Sequence, residues 1–244
     1  MIYEGECLEI MPTLPDKSID MILCDLPYGT TACRWDTIIP FEPLWKQYKR
    51  LIKDNGAIVL TANQPFTSAL VMSNPGWFKY EWIWDKKVPG GMSYARFQPM
   101  RQHENILIFC EGRTLYNPEM TKRDVPIKEG GKKKSDSAPI ANFNYMGGKI
   151  YEHKNPVTIL PFGKIRQGSL HPTQKPVALF EYLIRTYTNE GDTVLDNCAG
   201  SFTTAIACMN TKRNWICIEK DADYCEIGRK RIKNHMPLLQ AVNA

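Results

Sequence analysis

Val194-Leu195-Asp196-Asn197-Cys198-Ala199-Gly200-Ser201 reads as an apolar strand that ends on a carboxylate and enters a glycine-containing turn. α/β sheets hold nucleoside ligands in this way, at the carboxyl edge of the strands. A helix near Phe202 to Met209 follows, and Trp215 to Glu219 is the next strand. Glu219 lies about 23 residues beyond Asp196, where a carboxylate can accept both hydrogen bonds of a ribose diol. Together the two acids predict a nucleoside cofactor on an open, mostly parallel sheet.

Working outward, Pro176 to Thr188 has helical spacing with proline at its start, and Asn189-Glu190-Gly191 stops it. Near the N-terminus, Met1 to Glu6 reads as a short strand and Cys7 to Leu14 as a helix. Ile19 to Cys24 is a continuous apolar run, as in a strand covered on both faces. Phe41 to Lys53 carries Leu44, Trp45, Tyr48, Leu51 and Ile52 on one helical stripe, which Asp54-Asn55-Gly56 closes before a strand at Ala57 to Thr61. Gln64 to Ser73 adds a helix, and Phe78 to Trp84 with Glu104 to Cys110 pair as an antiparallel edge whose loop reaches over the site. Alternating helices and buried strands imply an α/β fold with a parallel sheet. Ala222 to Asn234 is a basic amphipathic helix before a loose end at Pro237 to Ala244.

Asp25-Leu26-Pro27-Tyr28 follows the Ile19 to Cys24 run and suits chemistry on a flat base. A carboxylate and the Leu26 carbonyl can accept hydrogen bonds from an exocyclic amine, Pro27 fixes the backbone, and Tyr28 offers a stacking face. In that role the Tyr28 ring matters and its hydroxyl does not.

The 244 residues, 43% of them hydrophobic, suffice for one elaborated domain. No window approaches the roughly 20 apolar residues that span a bilayer. Met1 to Glu6 lacks the basic flank and apolar stretch of a signal peptide, which predicts a cytoplasmic protein. The eight cysteines form no C-x-x-C pair and the four histidines lack ligand spacing, so neither disulfides nor a metal site is expected. The net charge of +5 is uneven: eleven cations and five anions lie between Gly112 and Gly168. Interleaved Tyr116, Phe143, Tyr145, Tyr151 and Phe162 give that stretch the composition of a nucleic-acid surface. Its pattern from Glu111 to about Leu170 is irregular, and long irregular inserts are usually functional.

Three motifs taken together resemble one family. The tetrad is similar to the D-P-P-Y motif of amino-methylating DNA methyltransferases, with Leu26 at the first proline. His171-Pro172-Thr173-Gln174-Lys175-Pro176 and then Asp196 to Ser201 resemble the cofactor half of the permuted, β-class enzymes, in which the tetrad comes first. Gly5-Glu6-Cys7 resembles the acidic turn that contacts the cofactor adenine there. The resemblance implies a Rossmann-like methyltransferase fold in permuted order, with a catalytic half over 1–111, a target-recognition insert over 112–170, a cofactor half over 171–236 and a tail over 237–244.

By carry-over, S-adenosyl-L-methionine would meet Glu6, Cys7, Asp25, Thr173, Gln174, Lys175, Asp196, Asn197, Cys198, Gly200, Ser201 and Glu219. Asp25, Leu26, Pro27 and Tyr28 would be catalytic, and Lys132, Lys133, Lys134, Tyr145 and Arg166 would meet double-stranded DNA. An initial Asp favours adenine N6 as the target, since the family's N4-cytosine enzymes mostly begin the tetrad with Ser. N4-cytosine, RNA or protein-amide methylation, or a non-catalytic binding role, stay open, as do a homodimer and a restriction partner. The chain departs from the family's D-P-F-x-G-S-G-T at Asn197-Cys198 and at Phe202, which replaces the second glycine. A benzyl group there would either crowd the methionine end of the pocket or turn into the core, and the core is favoured.

Overall fold

The structure, a computed structural model, describes residues 1–30, 36–128, 149–165 and 174–242, with side chains as far as residue 235. The apolar runs form strands because both of their faces are covered. In β2 (Ile19–Cys24), Ile22 and Cys24 belong to one core and Met21 and Leu23 to the other. β3 (Ile52–Ala62) splits likewise, Ile58, Leu60 and Ala62 from Ala57 and Val59. Strand residues alternate faces, so a run without polar interruption needs a layer on each side. α1 (Cys7–Ile10), α2 (Phe41–Leu51) and α3 (Phe66–Ser73) supply one layer. α4 (Val177–Tyr187) and α5 (Thr203–Asn210) supply the other.

The other strands of the same sheet are β1 (Ile2–Glu4), β4 (Phe78–Gly90), β5 (Arg101–Phe109), β8 (Ile159–Pro161), β9 (Thr193–Asp196) and β10 (Asn214–Glu219). With β2 and β3 they make one sheet in the order β1-β10-β9-β2-β3-β5-β4-β8. The first five are parallel, and β5 runs antiparallel to β3 and β4. The expected parallel sheet with an antiparallel edge hairpin is therefore present, extended by β8 alongside β4. From adjacent β2 and β9 the chain winds in opposite directions, to β3 and to β10. Such a switch point leaves a crevice at the carboxyl edge.

Several boundaries differ from expectation. α1 gives way to a 3-10 turn at Met11–Thr13, where Pro12 has no N–H to continue an α-helix. α2 ends at Leu51, and Asp54-Asn55-Gly56 do not close it; they bulge out of β3, whose register jumps from Ile52 to Ala57. Gly56 is required there, because a Cβ would lie 2.8 Å from the Asp20 carbonyl oxygen. α6 (Ala222–Val242) continues through the expected loose end at Pro237.

The chain divides into a large unit, 1–117 with 158–244, and a small one, 118–157. The separate piece is thus narrower than the 112–170 insert, and it is not structureless. It contains a hairpin of β6 (Thr121–Lys128) and β7 (Ile150–Lys154), with Thr121 opposite Lys154 and Lys128 opposite Ile150. Almost all of its strand residues are exposed, so no hydrophobic alternation marks them in the sequence.

Phe202 has turned into the core. It is fully buried at the N-cap of α5 in a left-handed conformation, φ 61° and ψ 37°. Its backbone keeps the geometry that glycine would supply, at a strain of order 1 kcal/mol. Its ring packs with Ala199, Ala205, Cys217 and Cys225, against bare backbone at Gly228, where a Cβ would stand 2.2 Å from the ring. Phe202→Ala should lower the unfolding free energy by about 3–5 kcal/mol. Gly228→Ala should destabilise the native chain, yet be much milder in the Phe202→Ala background, where the ring is gone. Urea unfolding of the four proteins measures that coupling, and a Gly228→Ala cost equal in both backgrounds would contradict the contact.

Candidate active site

Parallel strands deliver their last residues to one edge, and here those residues are acids. β10 ends at Glu219, β9 at Asp196, and Asp25 follows β2, while β1 leads into Gly5 and Glu6. A cavity of about 710 Å³ opens among them. Glu6 and Cys7 line it from the turn after β1, and Asp25, Leu26, Pro27 and Tyr28 from the loop after β2. Gln174 and Lys175 enter before α4; Asp196, Asn197, Cys198, Gly200 and Ser201 enter from the turn after β9, and Glu219 from β10. Phe202 does not line it. Thr173, with the expected DNA contacts Lys132, Lys133, Lys134, Tyr145 and Arg166, lies outside the described residues.

Asp25 is engaged on both oxygens. The Tyr28 hydroxyl donates to Oδ1 at 2.6 Å, and the Thr61 hydroxyl donates to the same atom. Lys175 Nζ reaches Oδ2 at 2.6 Å. The Lys175 side chain is only 5% exposed, and its Nζ also lies 3.3 Å from Glu104 Oε2. That second contact is an ion pair without hydrogen-bond geometry, since among the described residues Glu104 Oε2 accepts no hydrogen bond. Lys86 holds the other Glu104 oxygen at 3.3 Å. Burial alone would lower the Lys175 pKa, but the Asp25 and Glu104 carboxylates outweigh it and the net shift is upward. Lys175 therefore stays charged.

Tyr28 stacks one face on Phe66, with centroids 5.2 Å apart and planes at 29°. Burial first, then the Asp25 charge, raises its pKa, so the hydroxyl remains a donor. The expectation that only the ring matters is thus incomplete, because the hydroxyl holds the carboxylate.

On the far side of the cavity the acids meet backbone. Glu219 Oε2 accepts from the Gly200 N–H at 2.7 Å and Oε1 from the Asp221 N–H at 3.0 Å. Glu219 thereby pins the turn after β9. Asp196 accepts from the Cys198 N–H at 3.1 Å and from the Thr204 hydroxyl at 2.5 Å. It is 3% exposed, and burial pushes its pKa up to about 7 against the opposing pull of those donors. Asn197, in place of a proline, accepts a 2.7 Å hydrogen bond from the buried Tyr48 hydroxyl of α2.

Cys7 and Cys198 line the cavity with Cys24 beneath them. Hydrogen bonding to Cys198 and then burial raise the Cys7 pKa, and burial pushes Cys24 up to about 12. All three stay thiols at neutral pH, so none supplies the thiolate that a C5-cytosine mechanism needs. Among the described residues no His, Cys, Asp and Glu group could hold a metal ion, and no helix is long and apolar enough to cross a membrane.

Sequence reading missed Thr61, Lys86 and Glu104. Thr61 ends an apolar strand, and Glu104 opens the Ile106 to Phe109 run; a polar residue at either place is the only signal either gives.

A family model described as DNA methylase matches residues 19–230. A curated relative, the DNA adenine methyltransferase YhdJ of Escherichia coli (strain K12), is 27% identical over 95% of this chain and 82% of its own length. Among solved structures, the M1.HpyAVI-SAM complex superposes with a TM-score of 0.64 at 24% identity, covering 95% of this chain and 98% of that one. The PvuII DNA methyltransferase, titled cytosine-N4-specific, superposes at 0.66 and 16% identity, covering 98% and 91%. Their fold is the fold described above.

Asp196 makes the stability of the site pH-dependent. Folded, it keeps its proton to about pH 7, whereas an unfolded carboxyl loses it near 4. Between those values the folded state binds the extra proton, so stability falls as pH rises from about 4 to about 7 and levels off above, by up to about 4 kcal/mol. Asp196→Asn should flatten that stretch of the profile, as followed by urea unfolding between about pH 4.5 and 7.5. A slope equal to that of the parent chain would place the proton elsewhere.

Proposed function

Because the chain belongs to the DNA methylase family, we propose that it methylates the N6 amine of a flipped-out adenine in double-stranded DNA, at the Asp25 end of the cavity. It is a DNA methyltransferase, and S-adenosyl-L-methionine is its methyl donor. The observation that carries the site assignment is the Asp25 carboxylate beside a stacked Tyr28, in one cavity with Asp196 and Glu219. These residues fit the donor: Glu219 retains lone pairs for a ribose diol, Glu6 lines the same cavity and can face an adenine there, and a cationic ligand would favour the ionised form of the buried acid Asp196. When bound, the donor supplies an electrophilic methyl group.

The chain's own groups prepare the acceptor. A paired adenine has its amine engaged in the duplex, so the base must leave the stack. Phe66 stacks on Tyr28 and Lys175 Nζ stands 5.9 Å from the ring centroid, so an incoming base meets the ring beside the ammonium. Asp25 and the Leu26 carbonyl then accept the two amine hydrogens and draw the nitrogen lone pair out of conjugation. Lys175 can yield Asp25 Oδ2 to the amine without losing its partner, because Glu104 already lies 3.3 Å from it. Tyr28 and Thr61 hold Oδ1 meanwhile, so the carboxylate does not turn away. Positioning and fixed charge carry the chemistry.

Asp at the head of the tetrad supports adenine over N4-cytosine. The same reading allows a homodimer, a cognate restriction enzyme and a location with the DNA in the cytoplasm. Sequencing of modified bases in a host expressing the chain is the deciding experiment: N6-methyladenine at a defined motif is expected, and N4-methylcytosine would overturn the base assignment.

Asp25→Ala should cut methyl transfer more than about tenfold, on the order of 2–4 kcal/mol, while donor affinity by calorimetry stays close to that of the parent. Tyr28→Phe should also slow transfer, by roughly 1–2 kcal/mol, because the lost hydroxyl serves a charged acceptor. Turnover of Tyr28→Phe at the parent rate would show the ring to be sufficient. Glu219→Ala should weaken S-adenosyl-L-methionine by about 1.5–3 kcal/mol through lost charge-assisted bonds and a freed Gly200 turn. Unchanged affinity would move the donor elsewhere.

A further inference from the structure

The β4–β5 hairpin carries an exposed apolar tip that nothing in the catalytic reading uses. Met92, Tyr94 and Phe97 are 73%, 61% and 85% exposed. Large apolar side chains grouped in this way on a surface mark a contact site. They are held outward by a hydrogen-bonded turn: Tyr94 N–H donates to the Gly91 carbonyl at 3.0 Å, and Phe97 N–H to that of Tyr94 at 2.9 Å. The base of the same hairpin belongs to the cavity, since Trp84, Lys86 and Glu104 line it and Trp84 pairs with Glu104. The outermost rung pairs Gly90 with Arg101, three residues along β5 from Glu104, about 10 Å at strand rise. The tip thus stands just beyond the rim through which a base would enter.

Its charge selects the partner. Between Asp85 and Arg101 stand four cations, Lys86, Lys87, Arg96 and Arg101, against the single anion Asp85, and both arginines are exposed. Basic residues flanking exposed aromatics match a duplex, with phosphates outside and stacked bases within. Apolar side chains enter base steps as wedges, and a base that leaves the stack opens a gap for one. We propose that Phe97 inserts into the DNA stack at the position vacated by the target base, with Arg96 and Arg101 on the flanking phosphates. The inference rests on the DNA-methylating reading above and adds the element that stabilises the extruded state.

The test uses the full chain and a duplex bearing the site found by modified-base sequencing, in two forms: the target base paired, or placed opposite an abasic position. A wedge is needed only where pairing must be broken. Phe97→Ala should lower the single-turnover methylation rate on the paired duplex at least about tenfold, yet stay within about threefold of the parent on the unpaired one. Phe97→Trp should restore most of the paired rate. Equal losses on both duplexes, or no loss on the paired one, would overturn the wedge. Equal losses with a change of oligomeric state in sedimentation would instead make the tip an interface between copies. If the parent chain methylates neither duplex, the functional reading falls and takes the wedge with it.

Discussion

Several carboxylates share one partly dry cavity, and keeping them there is the constraint on which the site depends. Like charges in such a place repel and lack solvent, so each must be answered separately. Asp25 is answered by Lys175, a buried ammonium that Glu104 also holds. Glu219 is answered by two backbone N–H groups, and Asp196 by two donors and by a pKa that burial pushes up to about 7. The three solutions differ in what they leave free. An ion pair can exchange partners, a backbone cradle is rigid, and an acid with a raised pKa ionises more fully beside a cation. The first suits an incoming amine and the other two a bound nucleoside.

Much of this was legible in the chain because the decisive motifs are short and follow apolar runs. Asp25 and Asp196 come at strand ends that two covered faces make unmistakable, and parallel strands bring such ends together without further instruction. What sequence could not show is pairing across distance. Lys175 reads as part of a cofactor motif, and only the folded sheet shows that it closes on Asp25 rather than facing the methionine end alone. Glu104 arrives from an antiparallel strand, where no motif marks it. β6 and β7 were hidden for the opposite reason, since exposed strands carry no buried face to betray them.

The two departures from the family pattern turn out to be compensated locally. Asn197 gains the Tyr48 hydroxyl, a polar tie between the turn after β9 and the helix layer above it. Phe202 keeps a glycine-like backbone and finds space for its ring only because residue 228 has no side chain. Phe202 stays out of the cavity, and Asn197, which lines it, has its side-chain oxygen taken by Tyr48. The fold absorbs an unusual residue in the turn by adjusting the helix behind it, which leaves the acids where they were.

Asp25 and Lys175 are 150 residues apart in the chain. At about 5–20 residues per second, a ribosome needs roughly 8–30 s to deliver the second after the first. Throughout that interval the carboxylate has no counter-charge, and β2 waits for β9 before its second neighbour is present. A nascent chain that stops short of Lys175 carries the tetrad without the ammonium that pairs with it and without the acids that β9 and β10 bring to the same edge.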